Sequence, residues 1–86
     1  RAIRFVPDAW DAYLYWQDQD KKTLKRLNLL INAAARDPLG GIGKPEPLRG
    51  DLSGYWSRRI DEANRLVYRA TDSEVVVVAC RFHYDG

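Results

Sequence analysis

The chain has 86 residues, 45% of them apolar and 30% charged, with a formal net charge of +2. This composition excludes a disordered chain, and the length suits one small domain. No apolar run approaches the roughly 20 residues of a membrane-spanning helix, and no secretory signal is visible. A single cysteine and a single histidine exclude an internal disulfide and a protein-only zinc site. We therefore expect one cytoplasmic domain over residues 1–86, with no metal, no cofactor and no membrane contact.

The charge is distributed unevenly along the chain. Residues 1–20 carry two arginines against four aspartates, whereas residues 21–36 carry five cations and no acidic residue. Such a basic stretch indicates contact with a polyanion, although a solvated helix face explains it as well.

The first half of the sequence predicts a strand followed by two helices. Ala2–Val6 has the pattern of a short outer strand, and Pro7 then opens the first helix. Asp20 is a suitable N-cap for a second helix over residues 21–36, where apolar residues repeat at helical spacing. Asp37-Pro38 ends that helix. Because the connection between the helices is very short, they should form a hairpin.

The second half predicts a loop followed by strands. Residues 40–47 are superficially similar to a phosphate-binding loop, but prolines replace two key residues of that motif and no helix follows, so we reject nucleotide binding. Three strand-like runs, Tyr55–Ile60, Arg65–Ala70 and Glu74–Tyr84, are separated by hairpin-sized turns. We expect an α+β fold, with a small antiparallel β-sheet packed against the N-terminal helical hairpin.

Alternation along these strands predicts a basic sheet face. If the apolar positions face the helices, the opposite face carries Arg59, Arg65, Arg81 and His83. Glu46 lies between two prolines that stiffen its backbone, and it is the nearest candidate for a carboxylate base. A solvent-exposed sheet face, an incidental histidine and an ordinary loop carboxylate explain the same pattern.

A carboxylate, an imidazole and several guanidiniums together suit RNA cleavage by metal-independent transesterification. The base takes the proton of the 2′-hydroxyl, which attacks the adjacent phosphorus, and the acid protonates the departing 5′-oxygen. The guanidiniums stabilise the charge that builds on the phosphoryl oxygens.

Three segments resemble the YoeB branch of the RelE-like bacterial toxins: KPEPLRGDLSGYWSRRIDEANRLVYR from Lys44, ACRFHY from Ala79, and DAWDAYLYW near the start. The resemblance implies a RelE-like, microbial-ribonuclease-like fold. It implies the toxin of a type II toxin–antitoxin system, a ribosome-dependent endoribonuclease that cleaves mRNA in the A site and inhibits translation. The implied partners are a YefM-like antitoxin, the ribosome and mRNA, a second copy of the chain in a homodimer, and operator DNA only through the antitoxin complex.

The resemblance also implies residue roles. Glu46 falls where the family's general base lies, His83 where its general acid lies, and Arg65 where an arginine stabilises the transition state. Tyr84 falls where a tyrosine stacks on or orients the substrate base. The implied substrate-binding residues are Lys44, Arg49 and Arg59 at the site, and Lys21, Lys22, Lys25 and Arg26 as phosphate contacts to ribosomal RNA.

Two departures from the family pattern leave the reaction rate open: Arg49 stands where lysine is expected, and Asp85-Gly86 extend the chain beyond the His-Tyr pair. Two other functions also stay open, a catalytically inactive toxin-like module that binds antitoxin or nucleic acid, and an operator-binding regulator. Trp10 and Trp16 fit an antitoxin or dimer interface, and they fit the core equally well.

Overall fold

The computed structural model describes residues 1–83, in which two helices pack against one face of a five-stranded mixed sheet. The sheet order is β1-β5-β4-β3-β2. The elements are β1 (Ala2–Phe5), α1 (Pro7–Gln19), α2 (Lys21–Arg36), β2 (Glu46–Pro47), β3 (Trp56–Arg59), β4 (Arg65–Ala70) and β5 (Glu74–Ala79). No helix in this part of the chain is long and apolar enough to cross a bilayer.

The α+β architecture is confirmed, with two corrections to the sheet. Strands β3 to β5 pair antiparallel as expected. The end of the predicted loop forms a further short strand, β2, antiparallel to β3, and β1 pairs parallel to β5. The parallel pairing arises because the chain crosses the sheet through the helical hairpin before it returns, and a parallel neighbour requires such a crossover. The all-valine run of β5 is accordingly a central strand, between β1 and β4.

The helix boundaries follow the local sequence signals. α1 has proline at its start and Asp8 in its first turn, and α2 spans the expected residues. The carboxylate of Asp20 accepts hydrogen bonds from the Thr23 N–H at 3.0 Å and the Thr23 hydroxyl at 2.7 Å, which confirms the predicted N-cap. These bonds lower the pKa of Asp20.

One hydrophobic core lies between the helices and the sheet. Trp16 belongs to it, and its indole N–H donates to the Cys80 carbonyl oxygen at 2.8 Å. Trp10 is instead 45% exposed and stacks on Tyr13 with ring centroids 5.5 Å apart. The fully buried aliphatic side chains of this core include Leu27, Leu30, Leu66, Val75 and Val77.

The last strand is shorter than predicted. β5 ends at Ala79 instead of Tyr84, after a register irregularity against β4. Phe82 adopts a left-handed φ of 69°, which ends the alternation of side chains. The prediction that Arg81 shares a face with Arg59 is wrong, because its guanidinium lies 3.5 Å from the ring centroid of Tyr15 on α1.

Candidate active site

The strand register defines the residues on the outer face of the sheet, the face turned away from the helices. Glu46 on β2 lies opposite Ser57 on β3, and two residues further along β3, Arg59 lies opposite Arg65 on β4. Directly opposed residues point to the same face, as do residues two apart on one strand. The outer face therefore carries Glu46, Arg59 and Arg65. Glu46 is a diagonal neighbour of Arg59, and the backbones of two such residues lie roughly 7–8 Å apart.

Lys44 lies at the same end of the sheet. The carbonyl oxygen of the preceding residue, Gly43, accepts a hydrogen bond from the Arg59 N–H at 2.7 Å. Lys44 is exposed and has a left-handed φ of 53°, a conformation that a residue with a Cβ rarely adopts. The backbone therefore brings Lys44 to the end of the sheet where Glu46, Arg59 and Arg65 lie.

The Arg65 side chain folds back over the turn between β3 and β4. Its Nη1 donates to the carbonyl oxygens of Asp61, Glu62 and Asn64. A guanidinium carries five N–H donors, so contacts at Nη1 engage only part of its capacity. The carbonyl oxygens of the turn thus orient the guanidinium of Arg65, a half-buried residue.

The chain segment before His83 is fixed to the start of β4. The Phe82 N–H donates to the Asn64 side-chain oxygen at 2.7 Å, and the Phe82 carbonyl accepts from the Arg65 N–H at 2.9 Å. The exposed His83 follows directly. The backbone of His83 therefore comes one residue after the Phe82–Arg65 hydrogen bond and lies near Arg65. His83 lies beyond the end of β5 and is not part of that strand. Tyr84 and Asp85-Gly86 lie outside the described residues.

The sequence pattern predicted the turn between β3 and β4, but not the part that its side chains play in this attachment. The Asp61 carboxylate accepts hydrogen bonds from the Ala63 N–H, the Asn64 N–H and the Asn64 side-chain amide. Aspartate and asparagine at both ends of a four-residue turn are the available signal, because their side chains commonly bond nearby backbone groups.

The N-terminal half of α2, which contains Lys21, Lys22, Lys25 and Arg26, lies near the end of the sheet that carries Arg59. Arg26 donates through Nη2 to the Arg59 carbonyl oxygen at 3.1 Å. The side chains of Lys21, Lys22 and Lys25 are exposed on the same helix.

Arg49 is exposed but lies elsewhere. It follows Leu48, whose N–H bonds to the Tyr55 carbonyl at the far end of the β2–β3 hairpin. Tyr55 is four residues from Arg59, roughly 13 Å at the rise of a strand. The structure therefore does not group the Arg49 backbone with the Arg59–Arg65 pair.

The thiol of Cys80 does not contribute to the outer face. Cys80 is fully buried, and burial raises the pKa of its thiol to about 12. Within residues 1–83, no group of three histidine, cysteine or acidic side chains is arranged to hold a metal ion. The chemistry-bearing groups of the outer face are therefore the Glu46 carboxylate and the neighbouring cations.

The chain is thus a small α+β protein with two helices on one face of a mixed sheet and a carboxylate among cations on the other face. Comparison with known proteins makes this specific. A family model described as the YoeB-like toxin of bacterial type II toxin–antitoxin systems matches residues 5–84, and the chain belongs to this family.

Similar proteins cover nearly the whole chain. Toxin YoeB of Mycobacterium bovis is 57% identical over 84 residues, which is 98% of this chain and 99% of that protein. The solved YoeB/ParE toxin of Agrobacterium tumefaciens is 45% identical, with a TM-score of 0.94 over 98% of this chain and 100% of that one. In Staphylococcus aureus, YoeB has been solved in a heterotetrameric YoeB–YefM toxin–antitoxin complex (44% identity, TM-score 0.89, 98% and 99% coverage) and as a dimer (44%, 0.90, 96% and 97%).

Proposed function

We propose that this toxin is an endoribonuclease that cleaves mRNA in the ribosomal A site by acid–base transesterification, without a metal ion, and thereby inhibits translation. The observation that supports the proposal most directly is the outer face, where Glu46 is a diagonal neighbour of the Arg59–Arg65 pair. The attachment of Phe82 to Asn64 and Arg65 brings the chain before His83 to the same end of the sheet.

In this reaction Glu46 takes the proton of a 2′-hydroxyl, and the resulting oxygen attacks the adjacent phosphorus. A bond forms between the 2′-oxygen and phosphorus, and the bond between phosphorus and the 5′-oxygen breaks. His83 gives its proton to that leaving oxygen. The products are a 2′,3′-cyclic phosphate and a 5′-hydroxyl.

The cations act on the phosphate. Arg65 stabilises the negative charge that builds on the phosphoryl oxygens, and Arg59 and Lys44 add contacts to the same group, since guanidinium matches phosphate with paired hydrogen bonds. Tyr84 stacks on or orients the substrate base, and Arg49 contacts RNA outside the reacting phosphate.

The α2 cations position the toxin on the ribosome. Lys21, Lys22, Lys25 and Arg26 contact ribosomal RNA phosphates, which would make binding strongly dependent on salt. The link from Arg26 to the Arg59 carbonyl ties this surface to the reacting end of the sheet.

The solved relatives support two protein partners, an antitoxin and a second copy of the chain. We propose that this chain binds a YefM-like antitoxin and forms a homodimer in the cytoplasm, and that it reaches operator DNA only through the antitoxin complex. The exposed ring of Trp10, stacked on Tyr13, supports an apolar contact surface on α1.

Mapping of cut sites in an mRNA, with and without ribosomes, tests the proposal. We expect cuts in the A-site codon only when ribosomes are present, and we expect cleavage to be lowered by about 10²–10⁴-fold in Glu46→Gln or His83→Gln. Unchanged cleavage in both variants would refute the assigned roles. A wild-type chain that binds antitoxin but cuts nothing would instead support an inactive binding module.

A further inference from the structure

Arg58 is a fully buried arginine on the helix-facing side of β3. Its side chain has 0% exposure, and its neighbours on that face are Trp56 and Ile60. Nε donates to the Tyr68 hydroxyl at 2.9 Å, Nη1 to the Ile42 carbonyl at 2.8 Å and Nη2 to the Asp37 carbonyl at 2.7 Å. Within residues 1–83, no carboxylate forms an ion pair with it.

Burying a guanidinium at a core position costs free energy. Arginine is almost never fully buried without a partner, because its charge loses the hydration that water provides. Even buried ion pairs can often be replaced by apolar residues of similar volume without loss of stability. The hydrogen bonds that Arg58 directs at one loop are therefore the feature that an apolar residue would lack.

That loop, residues 37–43, is held by hydrogen bonds more than by the core. Its large apolar side chains are exposed, Leu39 by 63% and Ile42 by 46%. Besides the two carbonyls that Arg58 engages, the Pro38 carbonyl accepts from the Tyr68 hydroxyl at 2.6 Å. Burial raises the pKa of Tyr68, so the hydroxyl keeps the proton that it donates.

Gly43, the last residue of this loop, packs closely against Arg58. A Cβ added at Gly43 would lie 3.2 Å from the Arg58 Cβ and 2.6 Å from Leu30 Cδ2. The Gly43 carbonyl in turn accepts from the Arg59 N–H. Four loop carbonyls therefore bond to β3 or β4 immediately before the segment that carries Lys44 and Glu46.

Glu46 depends on this attachment because its own strand is very short. β2 contains only two residues, so its short pairing with β3 at Ser57 and Trp56 is supplemented by the bond at Gly43 before it and the bond between Leu48 and Tyr55 after it. We propose that Arg58 is a positioning residue for the reaction, whose bonds to the Asp37 and Ile42 carbonyls and the Tyr68 hydroxyl hold the 37–43 loop so that Glu46 reaches the outer face. This role rests on the proposed function.

A double-mutant cycle separates positioning from simple stabilisation. The variants are Arg58→Met and Tyr68→Phe, each alone, with Glu46→Gln and with His83→Gln. Val75→Ala, a core change away from the loop, is the control for lost stability. Single-turnover cleavage on mRNA-programmed ribosomes gives the maximal rate and the half-saturating toxin concentration, and thermal unfolding identifies the folded variants.

If Arg58 acts through Glu46, Arg58→Met lowers the maximal rate by about 10²-fold, the order expected for a misplaced catalytic group, and changes half-saturation much less. Tyr68→Phe gives a smaller loss in the same direction. Both losses shrink to less than about 3-fold in the Glu46→Gln background, where no base is left to misplace, and persist in the His83→Gln background.

Equal losses with and without Glu46, or losses no greater than that of Val75→Ala, would overturn the positioning role alone. Where Arg58→Met does not fold, Tyr68→Phe decides by the same comparison. If Glu46→Gln alone leaves the rate unchanged, the proposed function fails, and the positioning role fails with it.

Discussion

Replacing Asn64 with alanine should weaken cleavage more than it weakens the fold. The Asn64 oxygen accepts from the Phe82 N–H at 2.7 Å, and its amide nitrogen donates to both oxygens of Asp61 at 3.1 and 3.2 Å. Loss of these contacts should cost about 1–2 kcal/mol, since a hydrogen bond contributes roughly 1 kcal/mol net. The melting temperature of a domain this small should then fall by roughly 4–15 °C.

The effect on the reaction should be larger, because Phe82 directly precedes His83. Without the Asn64 acceptor, the Arg65 N–H bond to the Phe82 carbonyl alone attaches this segment to β4. The general acid is then held less tightly, and a displacement of about 1 Å can cost about 10²-fold in rate. Asn64→Asp is the matched control. It keeps an oxygen acceptor for the Phe82 N–H but sets a second carboxylate against Asp61, so it should lower stability and keep most of the rate.

The assay combines single-turnover cleavage on programmed ribosomes, well below the melting temperature, with hydrogen exchange at the Phe82 amide. We expect slow exchange in the wild type and in Asn64→Asp, and fast exchange in Asn64→Ala. Equal rate losses in the two variants, or a normal rate in Asn64→Ala with fast exchange, would refute the link between this contact and His83.

Three further predictions concern stability. Burial raises the pKa of the Cys80 thiol to about 12, so as pH rises above about 9 this thiol ionises in the unfolded chain before it ionises in the folded one. The contribution of the buried thiol to stability is therefore full below about pH 9 and is lost between about pH 9 and 12. In urea unfolding, the deficit of Cys80→Ala should be about 1–2 kcal/mol smaller at pH 10 than at pH 7; an equal deficit would contradict a neutral buried thiol. Lys44→Gly should be about 1 kcal/mol more stable than Lys44→Ala, because only glycine accepts the left-handed φ of 53° without strain; equal midpoints would argue against that conformation. Asp20→Ala should lower the melting temperature at pH 7, and this loss should shrink as pH falls through the lowered Asp20 pKa. Asp20→Asn should keep a helix cap at neutral and at low pH. A melting-temperature loss in Asp20→Ala that does not change with pH would exclude a charged cap.

Local signals predicted the helices well. Pro7, Asp20 and Asp37-Pro38 act on the backbone within one turn of themselves, so the bounds of α2 could be read from the sequence. The parallel pairing of β1 with β5 carries no comparable local signal, since it joins residues more than 70 positions apart. Only the assembled sheet determines it.

Alternation predicted the candidate site as far as the strands stay regular. It correctly grouped Arg59 with Arg65, whose pairing is direct. It failed at Arg81, because the irregular pairing of β5 and the left-handed Phe82 change which way the chain faces. In the same alternation, Arg58 shares a face with Trp56 and Ile60. A charged residue on that apolar face is the sequence signal of a buried hydrogen-bonding role.

The position of β5 has a consequence for biosynthesis. This strand is synthesised after β1 to β4, yet it lies between β1 and β4 in the sheet. β1 has no partner in the sheet until β5 has left the exit tunnel, so folding cannot proceed stepwise from the N-terminus. Contacts of such long sequence separation also slow folding, because the intervening chain must be ordered first. A ribosome that stalls before Glu74 therefore carries a nascent chain that cannot complete its sheet.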